Sequence, residues 1–221
     1  MNMKKKRDGG KNDGDEEKTK MKRIRFMAWN VNGMKDTEKT KRKFNRILNE
    51  MNGYEVVILT EIHLKDDEIE RYKKMMRKRK WMSYFSNNKS VSRGGVMISV
   101  RMGVMDESQI EAEDDGGEGR CLMLTMKNVW SEDVVLCGLY APVNGLERQT
   151  WMKKVGKRMK KKKGMKMIAG DMNFVMDTRL DKIRGNPKRG TAGREQQQTW
   201  EREMNVTDIW RDRNPTTIAT T

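Results

Sequence analysis

The sequence has few of the residues that build zinc sites and disulfide frameworks. Among 221 residues there are one histidine, His63, and two cysteines, Cys121 and Cys137. A structural zinc site takes about four His and Cys ligands, so a site of that kind is excluded. Both cysteines lie in apolar runs typical of strands, which predicts reduced thiols in a core and no disulfide framework.

Long apolar runs are also absent. No stretch of about 18 apolar residues occurs, which argues against a transmembrane span. Residues 1–25 are polar and contain no apolar segment of the kind that a signal peptide needs. There is no basic amphipathic helix with a broad aromatic face, so we expect no membrane partner.

Positive charge, by contrast, is abundant. The chain has 48 Lys and Arg against 32 Asp and Glu, a formal net charge of +16. Such an excess indicates a nucleic-acid partner and says little about the fold. The apolar residues cluster into short runs, so a core is still possible, and the length suits one large α/β domain or two small ones.

Residues 1–22 differ in composition from the rest of the chain. They are rich in Lys, Asp, Glu and Gly, which predicts a disordered basic tail before a domain that spans residues 23–221. The tail contains Lys4–Arg7, a run typical of a nuclear address or of a phosphate contact, although short basic runs are common. On this run alone we expect a nuclear protein.

The apolar pattern predicts strands and helices in alternation. Predicted helices cover residues 36–52, 66–79, 147–162 and 196–204. Predicted strands cover residues 23–29, 56–59, 81–85, 96–100, 120–126, 134–140 and the run that ends at Asp171, with mostly antiparallel pairing in the middle of the chain. This order predicts two mixed sheets packed face to face with helices outside, a four-layer α/β sandwich.

Polar clusters follow four of the predicted strands: Asn30–Gly33, Glu61–Leu64, Tyr140–Asn144 and Asp171–Asn173. Side chains two apart at a strand end leave on the same side, although Gly, Asp and Asn are also ordinary turn residues. Two carboxylates, two amides and a tyrosine at strand ends are what a metal-assisted phosphodiesterase needs. Oxygen ligands favour Mg²⁺ or Mn²⁺ over zinc.

The motifs Trp29–Gly33, Leu59–Leu64, Leu139–Pro142 and Gly170–Asn173 occur in the order seen in the endonuclease/exonuclease/phosphatase superfamily. Together with Asp208–Arg211, they most resemble the apurinic-endonuclease-like domain of LINE-type retrotransposon polyproteins, over roughly residues 23–221. The resemblance implies a monomer with a DNase-I-like four-layer sandwich, Mg²⁺ or Mn²⁺, a DNA partner and no small-molecule cofactor.

The resemblance also implies a role for each polar residue. Glu61 matches the metal-binding glutamate, with Asn30 beside it in the metal and phosphate shell. Asp171 matches the aspartate that positions or activates the attacking water, and Asn173 the amide that holds the phosphate. Tyr140 matches the tyrosine whose hydroxyl faces the scissile phosphate or the leaving oxygen.

Supporting and DNA-binding residues complete the expected set. His63 and Asn32 are expected to support the metal site without acting as a base or ligand. The predicted DNA-binding residues lie in a loop rich in Gly, Arg and Lys that follows the Asp171 motif: Arg184, Lys188, Arg189 and Arg194.

The end of the chain departs from the family pattern. The family finishes with two strands that carry an Asp and then a Ser-Asp-His run, and this sequence reaches Thr221 without them, so we expect the sandwich to lack its last strands. The main hypothesis is an endonuclease, impaired by this truncation, that leaves a 3′-hydroxyl for target-primed reverse transcription. The alternatives are a catalytically inactive DNA-binding remnant and a phosphodiesterase for inositol phosphates or sphingomyelin.

Neutralising Arg184, Lys188 and Arg189 together should make DNA binding less sensitive to salt. Each lost phosphate contact flattens the plot of log K against log salt by about 0.9. Lys153 and Lys157 on the 147–162 helix, a face expected to be only solvated, serve as the control. Binding titrations over a salt series measure the slope, and an unaltered slope in the loop variant would place the DNA interface elsewhere.

Overall fold

The fold consists of two four-stranded sheets, seen in a computed structural model that describes residues 23–88, 94–177, 180–181 and 191–218. The first sheet contains β1 (Phe26–Asn30), β2 (Val56–Thr60), β3 (Trp81–Ser86) and β4 (Val96–Arg101), in the order β1-β2-β4-β3. The second contains β5 (Ile110–Asp114), β6 (Cys121–Met126), β7 (Val134–Tyr140) and β8 (Met165–Asp171), in chain order. The predicted tail, residues 1–22, lies outside the described residues.

Helices flank the sheets. They are α1 (Lys41–Met51), α2 (Asp66–Lys78), α3 (Gly145–Lys160), α4 (Arg194–Met204) and α5 (Ile209–Arg213). None of the helices among the described residues is both long enough and apolar enough to cross a membrane.

Three apolar clusters separate the four layers. Along β2, Val57 and Leu59 face the helices, while Val56 and Ile58 face the other sheet, because side chains alternate along a strand. The cluster between the sheets includes Ile58, Ile98, Leu124 and Leu136. The outer clusters contain Phe44, Ile47 and Tyr72 on one side, and Cys137, Met152 and Trp200 on the other. The predicted four-layer α/β sandwich is confirmed, and both cysteines are buried free thiols.

Two local predictions were wrong. Strand β5 was missed because only Ile110 of its five residues is buried, and a short, charged edge strand has no apolar pattern to detect. Helix α1 begins at Lys41 and not near Asp36. The intervening residues form a turn in which the Thr37 amide donates to the Thr40 hydroxyl at 3.2 Å, and the Asp36 amide donates to the Tyr72 hydroxyl at 2.6 Å.

The strand register brings the polar clusters to one edge. Strands β1 and β2 pair in parallel, with Asn30 opposite Thr60, so Glu61 follows directly beside Asn30. Strands β7 and β8 also pair in parallel, with Tyr140 opposite Asp171. The carboxyl ends of both parallel pairs therefore carry the predicted site residues.

Gly170, the residue before Asp171, should be the least replaceable glycine near this edge. Its φ is +137°, and an added Cβ would lie 2.0 Å from the Leu139 carbonyl oxygen. Gly116 also has a positive φ, +79°, but open space around it, so Gly116→Ala should lose only about 1 kcal/mol of unfolding free energy. Gly170→Ala should lose roughly twice that or more. Urea midpoints measure both, and equal losses would contradict the steric explanation.

Candidate active site

The side-chain amide of Asn30 lies at the centre of the site. Its Nδ2 donates to Glu61 Oε1 and to Asp171 Oδ2, each at 2.8 Å. Its Oδ1 accepts a hydrogen bond from the Asn32 amide at 3.0 Å. The distance between Glu61 Oε1 and Asp171 Oδ2 therefore cannot exceed the sum of these two hydrogen-bond lengths. One amide from the first sheet therefore joins acidic groups carried by both sheets.

The backbone around the site is unusual. Asn32, Glu61, His63 and Asn173 all have positive φ, between 43° and 55°, and they are four of the nine non-glycine residues with positive φ in the described ranges. Each such residue costs about 1–3 kcal/mol and persists only where the surroundings hold it. Here the Gly33 amide donates to the Glu61 carbonyl at 2.6 Å and the His63 amide to the Gly94 carbonyl at 3.0 Å. Strain concentrated at one sheet edge indicates a functional site.

His63 lies next to the Glu61 carboxylate oxygen that Asn30 does not contact. Its Nε2 is 3.3 Å from Glu61 Oε2. Its other face is close to Gly33, where an added Cβ would be 3.3 Å from His63 Nδ1. The imidazole thus adjoins the predicted metal ligand, where the sequence placed a supporting residue, and that role remains a prediction. Asn32 adjoins the site through its backbone, since its amide donates to Asn30 Oδ1. Its carbonyl accepts a hydrogen bond from Lys43 Nζ.

Asp171 and Asn173 are joined by a turn. Strand β8 ends at Asp171, whose Oδ1 accepts a hydrogen bond from the Asn173 amide at 2.9 Å. The local turn interpretation is therefore confirmed, and the two side chains do not converge by strand alternation. Asn173 Nδ2 donates to the Ala141 carbonyl at 2.7 Å. An NH₂ group has two hydrogens, and this contact within the described residues uses one of them.

Tyr140 adjoins the two carboxylates. Burial, the negative charge of Glu61 and a hydrogen bond with Glu61 raise the pKa of Tyr140 above its ordinary value. Its hydroxyl therefore stays protonated at neutral pH and can donate a hydrogen bond. The ring packs close to Gly94, where an added Cβ would lie 3.4 Å from Tyr140 Cδ1.

Arg120 is a site residue that sequence reasoning missed. Its guanidinium carbon lies 5.6 Å from the Tyr140 ring centroid, and its Nη1 is buried without a hydrogen-bond partner among the described residues. It borders a cavity of about 660 Å³ that Lys154 also lines. The sequence marks Arg120 only by Gly119 before it and by its place at the start of a strand. A glycine followed by a basic residue is too common a pattern to identify Arg120 as a site residue.

The predicted DNA-binding residues are only partly visible. Arg184, Lys188 and Arg189 lie outside the described residues. Arg194 is the first residue of α4, and its Nε donates to the Val175 carbonyl at 3.1 Å. This side chain is directed into the protein, whereas the predicted loop position implied a side chain in solvent. Its predicted DNA contact remains a prediction.

The donor set fits a hard divalent cation that keeps some of its own water. In the described part of the chain, no three His, Cys, Asp or Glu side chains are grouped as a metal site. Mg²⁺, however, is commonly held by one or two carboxylates plus water, and Glu61 and Asp171 supply two close together. The predicted ligand Asn30 already uses one lone pair of its Oδ1 on the Asn32 amide, which leaves one for a metal.

The pKa of Tyr140 should fall when Glu61→Gln removes the negative charge beside it. The hydroxyl then loses a neighbour that opposes its ionisation. Absorbance titration of tyrosinate, with Tyr140→Phe used to assign the signal, measures the change. A matched carboxylate far from the ring, in Glu70→Gln, should leave the titration unchanged. An unshifted pKa in Glu61→Gln would show that Glu61 is not among the causes of the raised pKa, which would leave burial and the charge of Asp171.

Comparison with known proteins identifies the fold and the family. Three solved structures share the fold: the AP endonuclease LMAP from Leishmania major (18% identity, TM-score 0.67, 87% of this chain and 70% of that one), an AP endonuclease from Archaeoglobus fulgidus (13%, 0.63, 89% and 76%) and a variant of the 3′ phosphatase NExo from Neisseria bound to product DNA hairpin (16%, 0.55, 72% and 61%). No curated protein matches the sequence. The model of the endonuclease/exonuclease/phosphatase family matches residues 27–218. The chain belongs to the endonuclease/exonuclease/phosphatase family.

Proposed function

We propose that the protein is a metal-dependent nuclease that cuts one strand of duplex DNA and leaves a 3′-hydroxyl. The observation that carries this proposal is the Asn30 amide, which holds Glu61 and Asp171 together beside the protonated hydroxyl of Tyr140. Two adjacent carboxylates repel each other and a phosphate, and a cation held by them would offset that repulsion.

Each residue has a part in the proposed reaction. A bound Mg²⁺ would supply charge neutralisation at the phosphate, with Glu61 as its ligand and Asn30 beside it. Asp171 accepts a hydrogen bond from the attacking water and orients it. The second N–H of Asn173 donates to a phosphate oxygen, where negative charge increases in the transition state. The single O–H of Tyr140, which pairs with Glu61 in the described structure, would turn from that carboxylate to a phosphate oxygen.

Several features support DNA as the substrate. The net charge of +16 favours a polyanion over a small phosphate ester. The Arg120 guanidinium carbon lies 5.6 Å from the Tyr140 ring centroid and brings a positive charge to the site, while its Nη2 is 3.8 Å from Glu147 Oε1. Two similar structures are AP endonucleases, and a third holds a DNA hairpin. The resemblance of the four motifs to LINE-type domains further supports a nick that primes reverse transcription.

A second candidate function is DNA binding without cleavage. His63 is the only histidine of the chain, and it contacts Glu61. No imidazole is therefore left to assist Asp171. Loss of one proton-transferring group costs about 10²–10⁴-fold in rate, while metal and phosphate binding survive it.

The substitution Glu61→Gln should abolish both nicking and the thermal stabilisation produced by Mg²⁺, because a neutral amide does not supply the carboxylate's charge. Glu70→Gln, an exposed carboxylate on α2, is the matched control and should change neither. Relaxation of supercoiled plasmid measures nicking, and primer extension from the product detects the 3′-hydroxyl.

The outcomes separate the two candidates. Nicking that needs Mg²⁺ and disappears in Asp171→Ala supports the nuclease. Salt-sensitive binding with no nicking supports the inactive DNA-binding protein. An Mg²⁺ stabilisation that persists in Glu61→Gln would show that the metal assignment is wrong.

A further inference from the structure

We propose that Arg148 is a positioning residue for this centre, and the proposal rests on the function assigned above. Arg148 lies on α3 and touches neither Glu61 nor Asp171 in the contacts of the described structure. Its guanidinium instead joins the segment that follows Tyr140 to the segment that precedes α4.

Among the described residues, the hydrogen bonds of Arg148 all go to main-chain carbonyls. Nη1 donates to the carbonyls of Pro142 and Val143, each at 2.8 Å, and Nε donates to the Ala192 carbonyl at 2.7 Å. Only 2% of the residue is exposed. A planar fork of donors can bind carbonyls of two segments at once, whereas a lysine ammonium is a single point of contact.

The same guanidinium adjoins the segment after Asp171. It lies 5.9 Å from the ring centroid of Phe174, the residue that follows Asn173. An added Cβ at Gly193 would be 3.0 Å from that ring, so the segment before α4 also packs on Phe174. Three chain segments, at residues 141–145, 173–175 and 191–194, therefore meet around one side chain.

Two hydrogen bonds connect this junction to the site. Asn173 Nδ2 donates to the Ala141 carbonyl at 2.7 Å, one residue before the carbonyl that Arg148 holds. The Ala141 amide donates to the Asp171 carbonyl at 2.8 Å. Displacement of Pro142 would therefore move the acceptor that orients the Asn173 amide, and a shift of about 1 Å is enough to cost on the order of 10²-fold in rate.

A buried cation that holds loops together carries a large desolvation penalty. Its hydrogen bonds in the described structure go to carbonyls, and burial lowers the pKa of Arg148. An apolar side chain of similar size would fill the same space without the desolvation cost. The charge and the fork geometry are thus what the position requires, since they fix the direction of three carbonyls that an apolar residue would leave free.

The first test compares two side-chain amides by NMR in the full 221-residue chain. In Arg148→Met, hydrogen exchange at Asn173 Nδ2 should rise about tenfold, because its acceptor at Ala141 is released. Exchange at Asn30 Nδ2, held by Glu61 and Asp171, should stay within about twofold. Arg158→Met is the control: this arginine of the same helix pairs with Glu113, and its loss should change neither amide.

Equal increases at both amides in Arg148→Met would indicate general destabilisation and overturn the proposal, as would no increase at Asn173. Arg148→Lys keeps the charge and part of the contact, so it should give an intermediate rate, and it replaces the methionine variant if that one does not fold. This readout needs no activity, so a wild-type chain that fails to nick would contradict the proposed function and leave this test intact.

The second test separates positioning from binding. Arg148→Met should nick about 10²-fold more slowly than wild type, with a Kd for duplex DNA within about threefold of wild type. A loss of DNA affinity equal to the loss of rate would make Arg148 a binding residue, and an unchanged rate would remove its role in the reaction.

Discussion

The structure of the site depends on one interaction, the double hydrogen bond from Asn30 Nδ2 to Glu61 and Asp171. Asn30 and Asp171 are 141 residues apart and belong to different sheets, so this bond forms only after the two sheets pack against each other. Two carboxylates at such a distance repel, and one neutral amide offsets only part of that repulsion. The fold thus places at its edge an acidic pair, and the proposed function assigns a cation and a substrate to it.

The strained backbone at this edge follows from the same requirement. The chain turns sharply at Glu61, after β2, and at Asn173, after β8, with φ of 55° and 52°. Main-chain hydrogen bonds from Gly33 and His63 hold the first of these turns. Arg148 holds the chain beside the second, so the rigidity of the site comes from its neighbours as much as from its own groups.

The sequence predicted the parts of this structure that are marked by a periodic apolar pattern or by a polar cluster at the end of a strand. Strand β2 was predicted because Val56–Leu59 is apolar on both faces, and the polar clusters were recognised because each follows a predicted strand. The parallel pairing that brings them together is seen only in the structure. Strand β5 has exposed charged residues and gave no such signal. Arg120 and Arg148 could not be found either, since their roles depend on contacts with residues distant in the chain, such as Ala192, 44 residues beyond Arg148.

The charge distribution explains how a carboxylate site can serve a polyanion. The whole chain carries +16, which raises the local concentration of DNA at long range, while the site itself is negative at short range. A phosphate drawn to the surface therefore meets repulsion at Glu61 and Asp171 unless a divalent cation has reached them first. In the proposed function the cation is therefore a condition for close approach as well as for chemistry, and metal and DNA should bind in a mutually dependent way.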